Sequence, residues 1–456
     1  MLLVGAYKEK RIFRLGNLQI KPKHLMTDAE RVQDFQRKIY LKAKQDRKFR
    51  FYVLYDKVRL PHFLREAYRR CKANGGSAGV DGITFTDVEA DGVDKFISEI
   101  VKELEDKTYR PQAVLRVLIP KENGKTRPLG IPTIKDRVVQ MAVKLVIEPI
   151  FEADFEENSY GFRPKRSADD AVKEIKQNLQ EGKCEVFDAD LSAYFDTIPH
   201  KELMHLLALR ISDNDILHLI KMWLKAPVME NGRPKGGKKN KVGTPQGGVI
   251  SPLLANIYLH LLDKAVSRGG GIFQRNGVKM VRYADDFVLM ARKIPVECLD
   301  YMNGMFRRMK LKLNEEKSRL LCAHEESFDF LGHTFRFSND IFGRPFKYWN
   351  VAPSMKSQKK IRSKIREYLK YNGHNAPRDV ADDLNAITRG WINYFSIRGV
   401  TYPNMAKRDI RYYLCNRLTR FYKRKSQRKC KLFHQGAFEV LVRKYGLTDP
   451  SKYAPC

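Results

Sequence analysis

Adjacent carboxylates are the residues best suited to chemistry in this chain, because two like charges side by side repel unless a cation neutralises them. Three Asp-Asp pairs occur: Asp169-Asp170, Asp285-Asp286 and Asp382-Asp383. The first and last fall in the opening turns of predicted helices, where the dipole favours acids and no further role is needed. Asp285-Asp286 sits instead between two β-type runs, Val281-Arg282-Tyr283 and Phe287-Val288-Leu289-Met290. A divalent ion with oxygen ligands is the natural way to hold such a pair. A second acidic segment lies upstream, in Glu185-Val186-Phe187-Asp188-Ala189-Asp190. Asp188 and Asp190 share strand parity, so spacing leaves open which of them is a ligand. An acidic strand end meeting an acidic hairpin is what a two-metal phosphoryl transfer requires. Ions about 3.5–4 Å apart would activate a 3′-hydroxyl and stabilise a leaving pyrophosphate.

The elements that must carry these acids can be read coarsely. Residues 185–191 and 328–335 read as strands, and residues 280–291 as two strands joined through Ala284-Asp285-Asp286. Residues 114–119 form a β-rich run that meets a basic turn at 120–125 and then Thr126-Arg127-Pro128-Leu129-Gly130-Ile131-Pro132, a hairpin with Lys and Arg at its tip. Helical patterns cover about 28–48, 94–104, 138–151, 168–179 (with Ser167 as N-cap), 200–210, 215–224 and 250–265. Residues 231–242 hold three glycines and four lysines, a polar loop or hairpin. Gly243-Thr244-Pro245-Gln246-Gly247-Gly248 is a rigid turn opening a helix, its glycines allowing close backbone approach. No Gly-Lys-Ser/Thr follows, so it is not a Walker A loop. Strands and helices alternate without a βαβ period, which gives an α+β class.

After about residue 353 the texture changes. Ile361, Ile365 and Leu369, then Val380, Leu384, Ile387 and Trp391, then Ile410, Leu414, Leu418 and Phe421 form three apolar stripes at helical spacing. The simplest arrangement is a three-helix bundle. Residues 352–456 carry 24 Lys or Arg against 7 Asp or Glu, a net of +17. Just over half of the chain's net charge of +33 therefore lies in less than a quarter of its 456 residues. Lys359, Lys360, Arg362, Lys364 and Arg366 share one helix. Arg417, Arg420, Lys423, Arg424 and Lys425 crowd another, interleaved with Phe421 and Tyr422. Cations with aromatics between them suit phosphates and stacked bases, whereas a merely solvated face mixes signs.

Such a charge calls for a polyanionic partner, nucleic acid before an anionic membrane surface. No run reaches about 18 apolar residues, so no span is expected. The apolar start, Met1 to Tyr7, is too short for a signal core and has its charges on the wrong side. Seven scattered cysteines with no C-x2-C pair exclude zinc-ribbon spacing and fit a reducing compartment. A cytoplasmic protein, with the bacterial cytoplasm or nucleoid as its setting, is expected.

Seven blocks occur in one order: Arg127-Pro128-Leu129-Gly130-Ile131-Pro132, Ser159-Tyr160-Gly161-Phe162-Arg163-Pro164, Asp190-Leu191-Ser192-Ala193-Tyr194-Phe195-Asp196, Gly243 to Gly248, Tyr283-Ala284-Asp285-Asp286, Leu313-Asn314-Glu315-Glu316-Lys317-Ser318 and Phe330-Leu331-Gly332-His333. With Gly390-Trp391-Ile392-Asn393-Tyr394-Phe395 added, the chain over about 50–430 resembles a group II intron reverse transcriptase, the intron-encoded maturase. The resemblance implies a right-hand polymerase. Its parts would be a basic N-terminal extension (1–50), fingers (51–180), a palm of antiparallel sheet plus helices (181–350), an α-helical thumb or maturase domain (351–430) and a short basic tail (431–456). It implies Asp190, Asp285 and Asp286 as ligands of two Mg²⁺ and leaves Asp188 structural. By the same likeness Lys121, Arg127, Phe195, Gln246 and Lys317 serve the dNTP. Lys121 and Arg127 would hold the triphosphate, Phe195 would exclude a 2′-hydroxyl, Gln246 would line the nascent pair and Lys317 would protonate pyrophosphate. The loop from Gly75 to Asp81 lies where the family has its N-terminal fingers insertion. His333, Trp391 and Phe395 read as packing residues. Arg163, Lys165 and Arg166 join the basic residues of 359–366 and 417–425 as expected nucleic-acid contacts.

The expected function is an RNA-directed DNA polymerase that binds its group II intron RNA, assists splicing and copies the RNA during retrohoming. Its partners would be an RNA template, a DNA primer and target DNA, with no membrane and an oligomeric state left open. Only 24 residues follow Leu432, with no paired cysteines and downstream His cluster, so an HNH-type endonuclease is not expected. The basic tail would be a reduced DNA-binding element, and primers would come from elsewhere. Two alternatives are the same fold recruited to phage defence or DNA repair, and a splicing maturase that does not polymerise.

Overall fold

A β-strand buried on both faces needs apolar residues at every position rather than at alternate ones. Phe287-Val288-Leu289-Met290-Ala291 is such a run, and all five residues are fully buried in the computed structural model. The structure describes residues 26–120, 126–237, 240–244, 247–339, 345–425 and 430–455. Its strands are β1 (Val114–Pro120), β2 (Thr126–Ile131), β3 (Glu185–Asp190), β4 (Pro227–Glu230), β5 (Arg233–Gly236), β6 (Lys279–Tyr283), β7 (Asp286–Ala291), β8 (Arg319–Cys322), β9 (Phe328–Phe330), β10 (His333–Asn339) and β11 (Lys347–Pro353).

The central sheet runs β6-β7-β3-β8, antiparallel throughout. Successive side chains of β7 alternate between two cores. Phe287, Leu289 and Ala291 enter the largest, which the helices Ile134–Glu152 and Ser251–Ser267 also build. Val288 and Met290 enter a second, shared with the helix Ala168–Gln180 and the sheet β11-β10-β9. Acids at β3 and β7 are thereby held on a sheet that cannot slip without burying charge.

The expected hairpin at 114–132 is present as β1 and β2, and β1 also pairs in parallel with β4. The 231–242 segment forms part of a hairpin, β4–β5, whose Asn231 and Gly232 both have positive φ, as a type I′ turn asks. The single strand expected over 328–335 is instead two. Leu331 and Gly332 both take positive φ and fold β9 back on β10. The apolar run concealed that turn. His333 is buried there, its Nδ1 3.2 Å from the Leu331 carbonyl and its ring against Tyr394 and Phe395. A Cβ on Gly332 would lie 2.7 Å from Ser357 Oγ, so this turn is where the C-terminal helices seat on the sheet.

Two terminal segments are more integrated than their composition suggests. Residues 28–45 form a helix with a Thr27–Glu30 capping box, which buries Val32 and Ala43 and donates from Gln36 Nε2 to the Leu145 carbonyl (2.9 Å). At the other end, the three expected helices are Met355–Tyr371, Pro377–Phe395 and Asn404–Arg424. A further helix, Ala437–Tyr445, inserts Phe438 and Leu441 into their core. Tyr422 rather than Phe421 completes the third stripe. Among the described residues no helix is long and apolar enough to cross a membrane.

His260, on Ser251–Ser267, has both ring nitrogens buried without a partner and packs edge-on against Phe155. Burial, with the Lys264 charge behind it, pushes its pKa down to about 3. The unfolded chain takes up a proton below about pH 6.5 that the folded chain refuses. Stability is therefore full above that pH and is lost on acidification, by about 2 kcal/mol at pH 5. Denaturant titrations at pH 7.5 and pH 5 should show this loss, and a His260→Leu variant should lose about that much less.

Candidate active site

The hairpin β6–β7 turns through Ala284 and Asp285, with Tyr283 opposite Asp286. Ala284 has φ +59, the positive value that a two-residue hairpin turn demands at its first central position. In the neighbouring ladder Asp190, the last residue of β3, lies directly opposite Asp286. Facing residues of an antiparallel pair have Cβ atoms about 4.5–5.5 Å apart, so these carboxylates are close neighbours. The register brings Asp190, Asp285 and Asp286 to one end of the central sheet. Asp188 is carried one step away, opposite Val288 and Arg319, with burial pushing its carboxyl up to about 6.

The electrostatics are those of crowded acids. Asp286 is solvent-exposed, yet desolvation by the protein around it, then Asp285 and Asp190, push its carboxyl up to about 7. Burial raises Asp285 as well, and Arg127 and Lys317 oppose that rise. Lys317 Nζ donates to Asp190 Oδ2 at 2.5 Å, and Asn314 Nδ2 reaches the same oxygen at 3.2 Å. The Asp190 contact raises the Lys317 pKa. Among the described residues no three His, Cys, Asp or Glu side chains are gathered closely enough to hold a metal as they stand. The donor set nevertheless suits Mg²⁺: carboxylate oxygens only, in mutual repulsion that a dication relieves.

Around this centre the expected nucleotide residues divide. Arg127, exposed on β2 opposite Ile119, acts on Asp285 electrostatically. Phe195 follows a left-handed Ala193 into a short helix, Tyr194–Thr197; it is 8% exposed and its ring meets Tyr194. Lys121 and Gln246 lie outside the described residues. The flanking Gly247 has φ +113, and a Cβ there would fall 2.3 Å from the Gly130 carbonyl oxygen, so this loop and β2 touch backbone to backbone. The loop at 75–81 is clamped from below by Arg137, which donates to the carbonyls of Ser77 and, at 2.9 Å, of Pro132.

The basic residues also divide. Arg163 is a correction. It is 7% exposed, ion-paired to Glu152 at 2.7 Å and bonded to the carbonyls of Glu156 and Ser159, so its donors are spent inside the fold. Arg166 pairs with Glu157, while Lys165 is exposed. Lys359, Lys360, Lys364 and Arg366 are exposed along one helix, and Arg362 lies 3.8 Å from Asp409. Arg417, Arg420, Arg424 and Lys425 line a groove of about 500 Å³ with Lys370 and Phe421. No carboxylate lines that groove among the described residues. Lys423 is exposed beside it.

Two supporting residues escaped the sequence reading. Nothing in the spacing of Asn314 points to Asp190, the residue its Nδ2 reaches. Gly161 approaches the β6–β7 turn so closely that a Cβ would lie 2.5 Å from the Ala284 nitrogen. A glycine between two aromatics, Tyr160 and Phe162, was the available signal.

Comparison with known proteins gives the family. Residues 119–335 match the model of the reverse transcriptase (RNA-dependent DNA polymerase) family, and residues 358–436 match the group II intron maturase-specific domain. The chain is 35% identical over 341 residues to Protein YkfC of Escherichia coli K12, covering 66% of this chain and 87% of that protein. It is 36% identical over 348 residues to the group II intron-encoded protein LtrA of Lactococcus lactis subsp. cremoris, covering 74% of this chain and 54% of LtrA. An uncharacterized 91 kDa protein in the cob intron of Schizosaccharomyces pombe is 28% identical over 402 residues, covering 72% of this chain and 49% of that protein. The chain thus spans about half the length of the last two.

Proposed function

The chain belongs to the group II intron reverse transcriptases and maturases, and from that premise we propose that it is an RNA-directed DNA polymerase that also binds and helps splice its intron RNA. What carries this reading is the facing of Asp190 and Asp286 across the β3–β7 ladder with Asp285 at the adjoining turn. Two Mg²⁺ ions held by these three carboxylates would neutralise charge at the primer 3′-hydroxyl and at the departing pyrophosphate. Arg127, on the β1–β2 hairpin, would orient the triphosphate, and Lys121, in the sequence that joins the two strands, would share that role. Lys317, an amine that carries its proton at neutral pH, lies beside Asp190 and would give that proton to the leaving group. Phe195 presents its limited exposed edge where the sugar binds and disfavours a ribonucleotide. In this reading 51–180 are fingers, 181–350 palm and 351–430 thumb, and the intron RNA is copied into DNA during retrohoming.

The decisive experiment supplies the full chain with Mg²⁺, dNTPs and a DNA primer annealed to RNA. Extension is expected; its absence under varied salt and metal would overturn the polymerase reading. The DNA flanking the reading frame should fold as a group II intron, and its RNA should splice faster with the protein present.

The basic groove of the thumb makes a separate prediction. When basic side chains neutralise several RNA phosphates, log affinity falls linearly in log salt, by about 0.7–0.9 per phosphate. Replacing Arg420 and Arg424 together with Gln should weaken binding about tenfold and flatten that slope by about 1.5, because two phosphate contacts are removed. Filter binding between 50 and 300 mM KCl measures both.

A further inference from the structure

The catalytic turn stands on a buried cation. Arg282, on β6 just before the turn, has no exposed surface, and neither does Asp263 on the helix Ser251–Ser267. Arg282 donates from Nε to Asp263 Oδ1 at 2.7 Å and from one terminal nitrogen to Asp263 Oδ2 at 2.5 Å. That nitrogen also reaches Ser159 Oγ at 2.6 Å. The other terminal nitrogen donates to Asn256 Oδ1 at 2.9 Å and to the carbonyl of Ala284 at 2.8 Å. Asn256 in turn donates to the carbonyl of Gly161 at 2.8 Å. The Arg282 backbone bonds on both sides to residues 158 and 160. One guanidinium thus joins the turn, the 159–161 segment and the helix behind them.

A buried ion pair is weak evidence for stability alone, since apolar residues of the same volume often serve as well. What this pair does locally is more specific. Ala284 is held at positive φ, a conformation that costs a residue other than glycine on the order of 1–3 kcal/mol and persists only when its surroundings enforce it. The Arg282 bond to the Ala284 carbonyl is the contact placed to enforce it.

We propose that Arg282, anchored by Asp263 and Asn256, is a positioning residue that braces Ala284 in its strained turn and so aims Asp285 and Asp286 at the metals. This rests on the polymerase reading above. The guanidinium fork satisfies four partners at fixed angles; a lysine at the same place keeps the charge and loses the geometry.

The test uses the full chain. Arg282→Lys should lower kcat for primer extension about 100-fold, the cost of displacing reacting groups by about an ångström. The dNTP KM and the template–primer Kd should stay within about threefold, a split that general unfolding does not produce. Mn²⁺ affinity, read by EPR titration without turnover, should fall about tenfold. Because glycine accepts positive φ at no steric cost, Ala284→Gly should restore about tenfold relative to Arg282→Lys alone when the two are combined. Wild-type kcat and Mn²⁺ affinity in Arg282→Lys, a matching loss of template–primer affinity, or strictly additive effects with Ala284→Gly would each overturn the proposal. Should Arg282→Lys not fold, Asn256→Ala leaves the ion pair intact and should show the same split at about tenfold in kcat; an unchanged kcat there overturns it equally. If the parent itself fails to extend primers, the polymerase reading falls while the Mn²⁺ titration still tests the brace.

Discussion

Replacement of Asp285 by Ala should reduce primer extension by on the order of 10⁴-fold, which corresponds to ~5 kcal/mol of lost transition-state stabilisation. The size follows from where the residue sits. Asp285 occupies the hairpin turn beside Asp286, which in turn faces Asp190, and the three supply the only oxygens proposed to hold the metals. Removing one leaves two carboxylates that still repel but no longer enclose a dication, so an electrostatic contribution of several kcal/mol disappears together with the alignment of the hydroxyl. The fold should not suffer in proportion. Asp285 is a crowded acid held against its own repulsion and desolvation, and taking away such a charge relieves the sheet end. The melting temperature should stay within a few degrees of the parent. RNA affinity should be unchanged, because the basic groove lies on the C-terminal helices, which have a separate core. Single-nucleotide incorporation under saturating dNTP, run beside a splicing assay, separates the two activities. Extension surviving the substitution would sink the metal assignment. Loss of splicing with RNA affinity intact would count against two separable functions.

Much of this site was legible in the sequence, for identifiable reasons. Regular alternation and turn residues are local signals, so the hairpins at 114–131 and 279–291 followed from residue types alone. The choice of Asp190 over Asp188 was not local. Parity placed both on one face and the family resemblance chose Asp190; the ladder register puts Asp190 opposite Asp286 while Asp188 faces Val288. The same limit explains Arg163. Its sequence neighbourhood is basic and turn-like, but burial beside Glu152 decides its role, and burial depends on a partner 11 residues away. The segment at 328–335 misled in the opposite sense. Its apolar residues are real core, yet a turn at Leu331-Gly332 divides them, and the leucine there gives no turn signal. Composition likewise hid the helix at 437–445, whose apolar face belongs to a core assembled mostly from residues 361–422.

Gly161 offers the sharpest check on how the fold sets the chemistry, because its replacement by Ala adds one methyl group and no charge. The added Cβ would lie 2.5 Å from the Ala284 nitrogen and 3.0 Å from the Tyr283 carbonyl carbon. Both are backbone atoms, so no side-chain rotation can relieve the clash; either the 159–163 segment or the β6–β7 turn must shift. The segment is the more firmly held of the two. Tyr160 bonds to the β6 backbone, the Gly161 carbonyl accepts from buried Asn256, and Arg163 is locked to Glu152. The turn, already strained at Ala284, is the part that yields. A displacement of a few tenths of an ångström to one ångström at the carboxylates should cost about 10–100-fold in kcat, with dNTP KM and template–primer affinity little changed. Overpacking of this kind also destabilises by about 1–3 kcal/mol, so the folded fraction must be confirmed by thermal melting at the assay temperature. Gly247→Ala provides the contrast. Its Cβ would meet the Gly130 carbonyl oxygen at 2.3 Å and its φ of +113 is unfavourable to alanine, so it should disturb the contact with β2 and raise the dNTP KM. Equal kinetic signatures for the two glycines would mean that both act only through general stability. A kcat defect for one and a KM defect for the other would assign the first to aiming the acids and the second to shaping the nucleotide pocket.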